Sequence, residues 1–225
     1  MKPSILIGTA LGGYGYPAYS AHSQFGLISN MMKAEVVCDV VIECNNFLEE
    51  ARNKICVAAM EKGATHVLFL DSDIVVSPQA VKALLDMDTP IASGLYFMRF
   101  PPHKPVAYRD KKPITDFPEN EVIEVDYAGM GCCLIQVDLL NKMYTKMKKP
   151  RFFAFEDGLG EDVWFCNHAK ELCGAVTKVH TGAKVGHVGW CIFTDEHFRR
   201  TEDCQWLKDP NHSYLRVMKG ANLNA

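Results

Sequence analysis

The residues with the clearest potential for chemistry are two carboxylates, Asp71 and Asp73, which follow an apolar run at residues 67–70. The run is too short for a helix and rich in strand formers, which predicts a buried strand of a parallel sheet. Like charges at its exit repel each other, and a divalent cation between them relieves that repulsion. Carboxylate oxygens suit Mg²⁺ or Mn²⁺, and such an ion could also hold a diphosphate. The alternative is a turn in which one aspartate caps the next helix.

A second acidic pair, Glu161 and Asp162, follows a Gly-Leu-Gly turn and begins a predicted helix that ends at Gly174. Carboxylates in a first helical turn favour its positive end, so simple helix charge is one explanation. The other is catalytic: at the edge of a cleft, the charge of Glu161 beside Asp162 would raise the pKa of one partner toward a useful value.

A single histidine, His187, lies between glycines, with Trp190 close behind it. A lone histidine is more often structural than a metal ligand, and the spacing alone leaves both roles open.

The elements that position these residues begin with a strand at residues 4–10 and a loop rich in Gly and Tyr, whose glycine spacing is not that of a dinucleotide site. A helix follows at residues 19–32, with Phe25, Ile28, Met31 and Met32 on one side. A strand is predicted at residues 34–44. A helix at residues 46–62 has Asn45 or Asn46 as its cap, and its predicted apolar face is Phe47, Ala51, Ile55 and Ala58.

Beyond the central strand, Ser77 caps a short helix that begins at Pro78 and ends at residue 86. Further strands are predicted at residues 90–97, 121–126, 132–137 and 175–179. The proline-rich residues 99–120 read as a hairpin or a long excursion over one face of the sheet. Gly129 and Gly131 predict a flexible bend, and Asp138 predicts the cap of a helix that ends near residue 146.

The alternation of strands and helices predicts a doubly wound open sheet. With 225 residues, 48% of them hydrophobic, the chain can bury a core as one domain or as one domain with a subdomain. We expect this domain at residues 1–192 and a helical tail at 193–225. The net charge of -3 implies no general attraction to polyanions, and nine scattered cysteines without a CxxC pair indicate free thiols. No apolar run reaches membrane-spanning length, so we expect a protein of the cytoplasm, in a bacterium or a virus-infected host cell.

An ordered set of motifs carries a family resemblance: Thr9, ARN at 51–53, FLDSD at 69–73, AGMGCCLI at 128–135, GED at 160–162 and VGH at 185–187. In order and spacing the set resembles the GT-A glycosyltransferases, close in pattern to the family 2 type. The resemblance implies an α/β fold, the GT-A three-layer α/β/α sandwich with a mostly parallel central sheet.

The resemblance also implies roles for individual residues. The metal, Mn²⁺ or Mg²⁺, would be held by Asp71, Asp73 and His187. The nucleotide-diphosphate sugar, with a UDP-sugar as first choice, would be bound by Thr9, Ala10, Arg52, Asn53, Asp71, Ser72 and Asp73. Asp162 matches the catalytic base of inverting members, with Glu161 as its neighbour, and the acceptor would contact Trp190, Gly129 and Met130.

Other functions stay open at this point. An ARN-then-DxD order also occurs in retaining mannosyltransferases of GT-A type, and a non-catalytic nucleotide-sugar-binding protein would carry the same residues. A nucleotidyltransferase is disfavoured because no Lys or Arg lies between Ile5 and Asn30. The acceptor could be a glycan, a small hydroxyl compound or nucleic acid, the last suggested by the basic residues 142–151, which are equally typical of a solvated helix end.

Overall fold

The structure, a computed structural model, describes residues 2–11, 16–44, 47–156, 158–189 and 192–193. In this part of the chain the helices are α1 (Ala18–Lys33), α2 (Leu48–Glu61), α3 (Pro78–Asp86), α4 (Val137–Met147) and α5 (Glu161–Cys173). The strands are β1 (Ile5–Leu11), β2 (Val37–Cys44), β3 (His66–Leu70), β4 (Ile74–Val76), β5 (Ile91–Leu95), β6 (Ala107–Arg109), β7 (Lys112–Pro113), β8 (Val122–Val125), β9 (Tyr127–Ala128), β10 (Cys132–Gln136), β11 (Thr177–Val188) and β12 (Ile192–Phe193). Most of the predicted tail, residues 194–225, lies outside the described residues.

The main sheet has the strand order β12-β11-β5-β10-β3-β1-β2, with β4 and β8 also paired to β11. β1 pairs in parallel with β2 and β3, and β5 pairs in parallel with β11. β10 lies antiparallel between β3 and β5. From β2 to β11 every strand therefore points the same way except β10, which confirms the mostly parallel central sheet.

Helices cover both faces of this sheet, because neighbouring residues of each buried strand point to opposite sides. On one face Phe69 packs with Ile55 of α2, Leu140 of α4 and Phe165 of α5. On the other face Leu68 packs with residues of α1 and α3, Leu27, Met31, Val81 and Leu84. The predicted three-layer α/β/α arrangement is therefore present.

The proline-rich segment contains a hairpin of β6 and β7, which joins β9 in a second, three-stranded sheet. A small apolar cluster attaches this sheet to the main one: Leu95, Phe97, Ala107, Val125, Ala128 and Val179. The hairpin was one of the two predicted forms of residues 99–120. The attachment places it beside the exit of β5.

Helix ends were predicted with mixed success. Ser77 is the N-cap of α3, and its side chain accepts a hydrogen bond from the Ala80 N–H at 3.1 Å. α5 ends at Gly174, whose φ of 65° favours glycine. The predicted caps of α2 and α4 were wrong, since Phe47 and Gln136 precede these helices and neither gives a side-chain cap. Asp138 lies inside the first turn of α4, where its charge still favours the positive helix end.

The buried face of α1 also differs from the prediction. Phe25 and Met32 are exposed, whereas Gln24 and Ser20 are buried with Leu27 and Met31. Polar residues occupy this face because it covers a polar turn, described below. α1 continues to Lys33, so β2 begins at Val37 and not at residue 34.

No helix in the described part of the chain is long and apolar enough to cross a bilayer. The described cysteines are free thiols, as the sequence predicted.

Candidate active site

The carboxyl ends of β1 and β3 form one edge of the sheet and bring several predicted residues together. Gly8 pairs with Phe69, so Ala10 lies level with Asp71 two positions further along. Thr9 is 2% exposed. Ligands of open α/β sheets bind outside the carboxyl ends of the strands, which is where these residues lie.

The turn from Asp71 to Ile74 is held from its backbone by α1. The Gln24 side chain donates to the carbonyl of Asp71 at 2.8 Å and to that of Ile74 at 3.0 Å. The Ser20 hydroxyl donates to the carbonyl of Ser72. These bonds satisfy the buried polar groups of α1 and leave the two aspartate side chains free to face other partners.

Arg52 joins the two acidic pairs. Its guanidinium is 2% exposed, and Nη2 lies 3.0 Å from Oδ1 of Asp71 while Nε lies 3.3 Å from Oε1 of Glu161. The rings of Phe69 and Phe153 lie 5.3 and 6.0 Å from the guanidinium carbon. An arginine is suited to this place because its planar fork can serve two carboxylates at once.

Both carboxylates at the start of α5 are harder to ionise than usual. Burial raises the pKa of Glu161, and the charge of Asp162 adds to the effect, although Arg52 opposes it. Burial also raises the pKa of Asp162, although the hydrogen bond from the Val163 N–H at 2.7 Å lowers it in part. Because Glu161 is tied to Arg52, Asp162 is the carboxylate of this pair with the freer side chain.

α5 runs alongside the chain from β9 to the bend before β10. Two contacts, four residues apart on the helix and two apart on the neighbouring chain, fix the alignment: Lys170 with Asp126, and Cys166 with Ala128. Four helical residues rise about 6 Å and two extended residues about 6.6 Å, so the steps match.

The glycines beside Met130 form a close approach rather than the predicted flexible bend. A Cβ on Gly129 would lie 2.1 Å from the Tyr96 hydroxyl, and one on Gly131 would lie 3.0 Å from the same ring. The Tyr96 hydroxyl accepts a hydrogen bond from the Gly131 N–H at 3.1 Å. Met130 is itself 1% exposed. The absence of side chains at the two glycines thus makes room for a buried tyrosine.

Asp73 faces different partners from Asp71. Its Oδ2 lies 2.6 Å from Nη1 of Arg99 and 3.3 Å from Nε2 of His187. His187 Nδ1 lies 2.9 Å from the carbonyl oxygen of Phe97. A carbonyl only accepts, so Nδ1 carries a proton, and Nε2 is the ring atom that faces Asp73.

The ionisation of Asp73 follows from these contacts. Burial alone would raise its pKa, but the hydrogen bond and charge of a protonated His187, together with Arg99, outweigh burial and hold the pKa below its ordinary value. Asp73 is therefore a carboxylate at neutral pH.

The residues present fit a divalent cation beside Asp73. A carboxylate oxygen and an imidazole nitrogen that face each other are ligands that Mn²⁺ accepts. When all six groups are ionised, the guanidiniums of Arg52 and Arg99 leave two negative charges on the four carboxylates, Asp71, Asp73, Glu161 and Asp162. Within the described residues, however, no group of three His, Cys, Asp or Glu side chains converges. Two of the three predicted metal ligands, Asp73 and His187, are in contact, and Asp71 is turned to Arg52.

Asn53 is engaged by the backbone next to the site. Its side-chain oxygen accepts from the N–H groups of Phe152 and Phe153 at 2.7 and 2.9 Å, and its amide donates to the carbonyl of Phe153 at 2.9 Å. It thereby fixes the ring of Phe153 beside Arg52. Trp190 lies outside the described residues.

Three of the five basic side chains in residues 142–151 have local partners. Lys142 pairs with Asp138 at 2.6 Å, and Arg151 pairs with Glu156 at 3.1 Å. Lys146 donates to the carbonyl of Leu172. This arrangement is typical of a solvated helix end.

Sequence reasoning missed three residues of this site: Arg99, Tyr96 and Gln24. Arg99 stands in the segment that reads only as proline-rich, and Tyr96 reads as a strand residue like its neighbours. Gln24 is polar within a helix, where a solvent-facing position is the usual expectation. Only the tertiary contacts bring these side chains to the aspartates.

No protein-family model matches the chain, and no curated protein matches it significantly. Among solved structures, A197 from STIV aligns with a TM-score of 0.57 and 22% identity, covering 83% of this chain and 86% of that one. A structure of GalNAc-T7 with UDP, GalNAc and Mn²⁺ aligns with a TM-score of 0.52 and 12% identity, covering 91% of this chain and 48% of that one. These likenesses confirm the predicted fold class, the GT-A three-layer sandwich.

Proposed function

We propose that this chain is a metal-dependent glycosyltransferase, which moves a sugar from a nucleotide-diphosphate sugar to a hydroxyl acceptor with inversion. The observation that carries the proposal is the bridge made by Arg52, which holds the aspartate turn after β3 and the acidic start of α5 in one site. A glycosyl transfer needs a place for the leaving diphosphate and, for inversion, a base on the acceptor side. The two acidic pairs supply candidates for both.

On the donor side, the proposed contacts lie along the edge formed by β1 and β3. They are Thr9, Ala10, Arg52, Asn53, Asp71, Ser72 and Asp73. A UDP-sugar is the first choice, supported by the GalNAc-T7 structure, which contains UDP, GalNAc and Mn²⁺. The likeness is distant, so the choice of nucleotide rests on this support alone.

Asp73 and His187 are proposed to hold Mn²⁺ or Mg²⁺, with Asp71 close by. The ion, when bound, neutralises charge that builds up on the leaving diphosphate. Phe97 keeps the proton of His187 on Nδ1, so that Nε2 is available as a ligand. Arg52 keeps Asp71 in place from the core side and offsets part of the negative charge.

Asp162 is the proposed base. It takes the proton of the acceptor hydroxyl as the acceptor oxygen bonds to the anomeric carbon, while the bond from that carbon to the diphosphate oxygen breaks. Attack from the face opposite the leaving group inverts the configuration. The raised pKa of Asp162, which burial causes, suits proton uptake. Glu161 is proposed to orient this turn through its bond to Arg52.

The acceptor is proposed to bind near Met130, Gly129 and Trp190. Support comes from the small sheet, where Tyr108 of β6 and Tyr127 of β9 stack with ring centroids 4.8 Å apart. Burial first, and then the charge of Asp162, raise the pKa of both phenols. Flat rings of this kind suit the apolar face of a sugar, which favours a glycan over a nucleic acid acceptor.

A donor screen tests the proposal directly. The Tm of the protein is measured with UDP-, GDP-, dTDP- and CMP-sugars, each with and without Mn²⁺. We expect a UDP-sugar to raise Tm in the presence of Mn²⁺, and Asp73→Asn to abolish the rise. No stabilisation by any donor would contradict the proposal.

Two further measurements identify the reaction class. Proton NMR of the product should show an inverted anomeric configuration, whereas retention, especially with a GDP-sugar, would assign the chain to the mannosyltransferase-like class. Stabilisation without any donor hydrolysis or transfer would indicate a nucleotide-sugar-binding protein.

A further inference from the structure

Arg99 is held in place by a compact loop that leaves β5. Phe97 forms a bridge with Pro105, and the N–H of Met98 donates to the carbonyl of Lys104 at 2.9 Å. The buried side chain of His103 closes the loop from inside, with Nδ1 3.0 Å from the carbonyl oxygen of Met98. Arg99 therefore does not reach its position as a loose surface side chain, because its backbone is fixed beside the end of β5.

The guanidinium of Arg99 uses the same carboxylate oxygen that faces His187. Nη1 of Arg99 and Nε2 of His187 both approach Oδ2 of Asp73, at 2.6 and 3.3 Å. The ring of Tyr96 packs edge-on against His187, with centroids 5.6 Å apart, and so limits how far the imidazole can turn. A positive side chain thus already occupies the place beside this oxygen where a cation would bind.

We propose that Arg99 is an internal counter-ion that competes with the divalent cation for Oδ2 of Asp73 and leaves that oxygen when the ion binds. The proposal rests on the proposed metal site at Asp73 and His187. Its physical basis is that a carboxylate oxygen at 2.6 Å from a guanidinium cannot also keep a divalent ion close without strong repulsion between the two cations.

The release of Arg99 is geometrically feasible. The Arg99 side chain is 34% exposed, and its guanidinium also lies 5.6 Å from the centroid of the exposed Phe100 ring. The guanidinium can therefore swing outward while its loop stays closed. Competition of this kind lowers the affinity for the ion in the absence of donor. It also keeps the charge of Asp73 neutralised until the ion binds.

Mn²⁺ binding by the full chain, with no nucleotide present, tests the competition. Affinity is measured by isothermal titration calorimetry and by the loss of the free Mn²⁺ signal in electron paramagnetic resonance. Arg99→Met removes the competing charge, and we expect it to bind Mn²⁺ about 3- to 30-fold more tightly than wild type, since a charge-assisted pair of this exposure contributes on that order.

Three variants distinguish the loss of the competing charge from other effects of the Arg99→Met substitution. Arg99→Lys keeps a positive charge and should stay within about threefold of the wild type. Arg109→Met is the matched control and should not change affinity. Arg109 is an exposed arginine of β6 that donates to the carbonyl of Glu124. Asp73→Asn removes the proposed ligand and should abolish binding.

The outcomes distinguish the competition from the proposed function. Unchanged or weaker affinity in Arg99→Met, with binding lost in Asp73→Asn, would overturn the competition and leave the metal site standing. Binding that is unaffected by Asp73→Asn, or absent in every form, would overturn the proposed metal site and the competition with it.

Discussion

Arg52 and Glu161 are 109 residues apart in sequence, yet Nε of one lies 3.3 Å from Oε1 of the other inside the protein. The same guanidinium reaches Asp71, so a single buried cation connects α2, the end of β3 and the start of α5. Its remaining nitrogen, Nη1, is buried without a hydrogen-bond partner among the described residues. The acidic site is therefore assembled around one positive charge, which its neighbours only partly satisfy.

Replacement of Arg52 should destabilise the fold strongly. Arg52→Met leaves Asp71 and Glu161 without their shared cation, and removal of one partner of a buried ion pair costs about 3–5 kcal/mol. Chemical denaturation measures the change in the free energy of unfolding. Lys82→Met, which breaks an exposed pair with Asp86, is the control and should change stability by about 0.5 kcal/mol or less. Equal effects of the two variants would show that the bridge is not structural.

Asp162→Asn separates catalysis from helix charge. As the base, Asp162 should lose about 10²- to 10⁴-fold in turnover when it becomes an amide, while donor affinity stays near that of the wild type. Glu171→Gln, an exposed acidic residue on the same helix, is the control and should keep full turnover. If Asp162→Asn keeps its rate and loses only stability, its carboxylate merely favours the positive end of α5.

The pH dependence of kcat/KM should report a raised pKa on the acidic side. The base acts as a carboxylate, so activity falls as pH drops through its pKa in the free enzyme, and burial places that pKa above the ordinary 3.8 of aspartate. Glu161→Gln should keep this acidic limb, although burial raises the pKa of Glu161 as well. Disappearance of the limb in Glu161→Gln, with activity retained, would move the base role to Glu161.

Gly129 should tolerate no side chain. Gly129→Ala would place a methyl group 2.1 Å from the Tyr96 hydroxyl, and overpacking of a filled interior costs about 1–3 kcal/mol. Gly26→Ala is the matched control, because nothing lies within 4 Å of a Cβ there and alanine favours the helix by about 0.5–1 kcal/mol. Thermal unfolding should show opposite shifts of Tm for the two variants. A Gly129→Ala protein as stable as the wild type would mean that Tyr96 yields easily.

Local sequence predicted the elements whose ends carry strong local preferences. The apolar run before Asp71 gave β3, Ser77 and Pro78 gave α3, and Gly174 gave the end of α5. Local sequence failed where a tertiary contact reverses the usual preference. Gln24 is buried because the turn after β3 offers it two carbonyls, and Phe25 beside it is exposed as a result.

The site divides along the same lines. Asp71, Asp73, Glu161 and Asp162 stand out by charge at element ends, and the structure places them around one edge. Arg99 could not be found in this way, because its role depends on how a proline-rich loop brings it to the turn after β3. The direction of β10 was equally hidden, since an apolar strand reads the same in a parallel and in an antiparallel pair.

The antiparallel strand β10 has a consequence for the order in which the chain can fold. It separates β3 from β5, and both neighbours of β5 in the main sheet, β10 and β11, are synthesised after it. A nascent chain that ends before residue 132 can pair β1, β2 and β3 but leaves β5 without a partner strand in that sheet. The Asp73–His187 contact spans 114 residues and closes later still. During synthesis the nascent protein therefore exposes an apolar strand until β10 has left the ribosome, which makes this interval the one in which aggregation competes with folding.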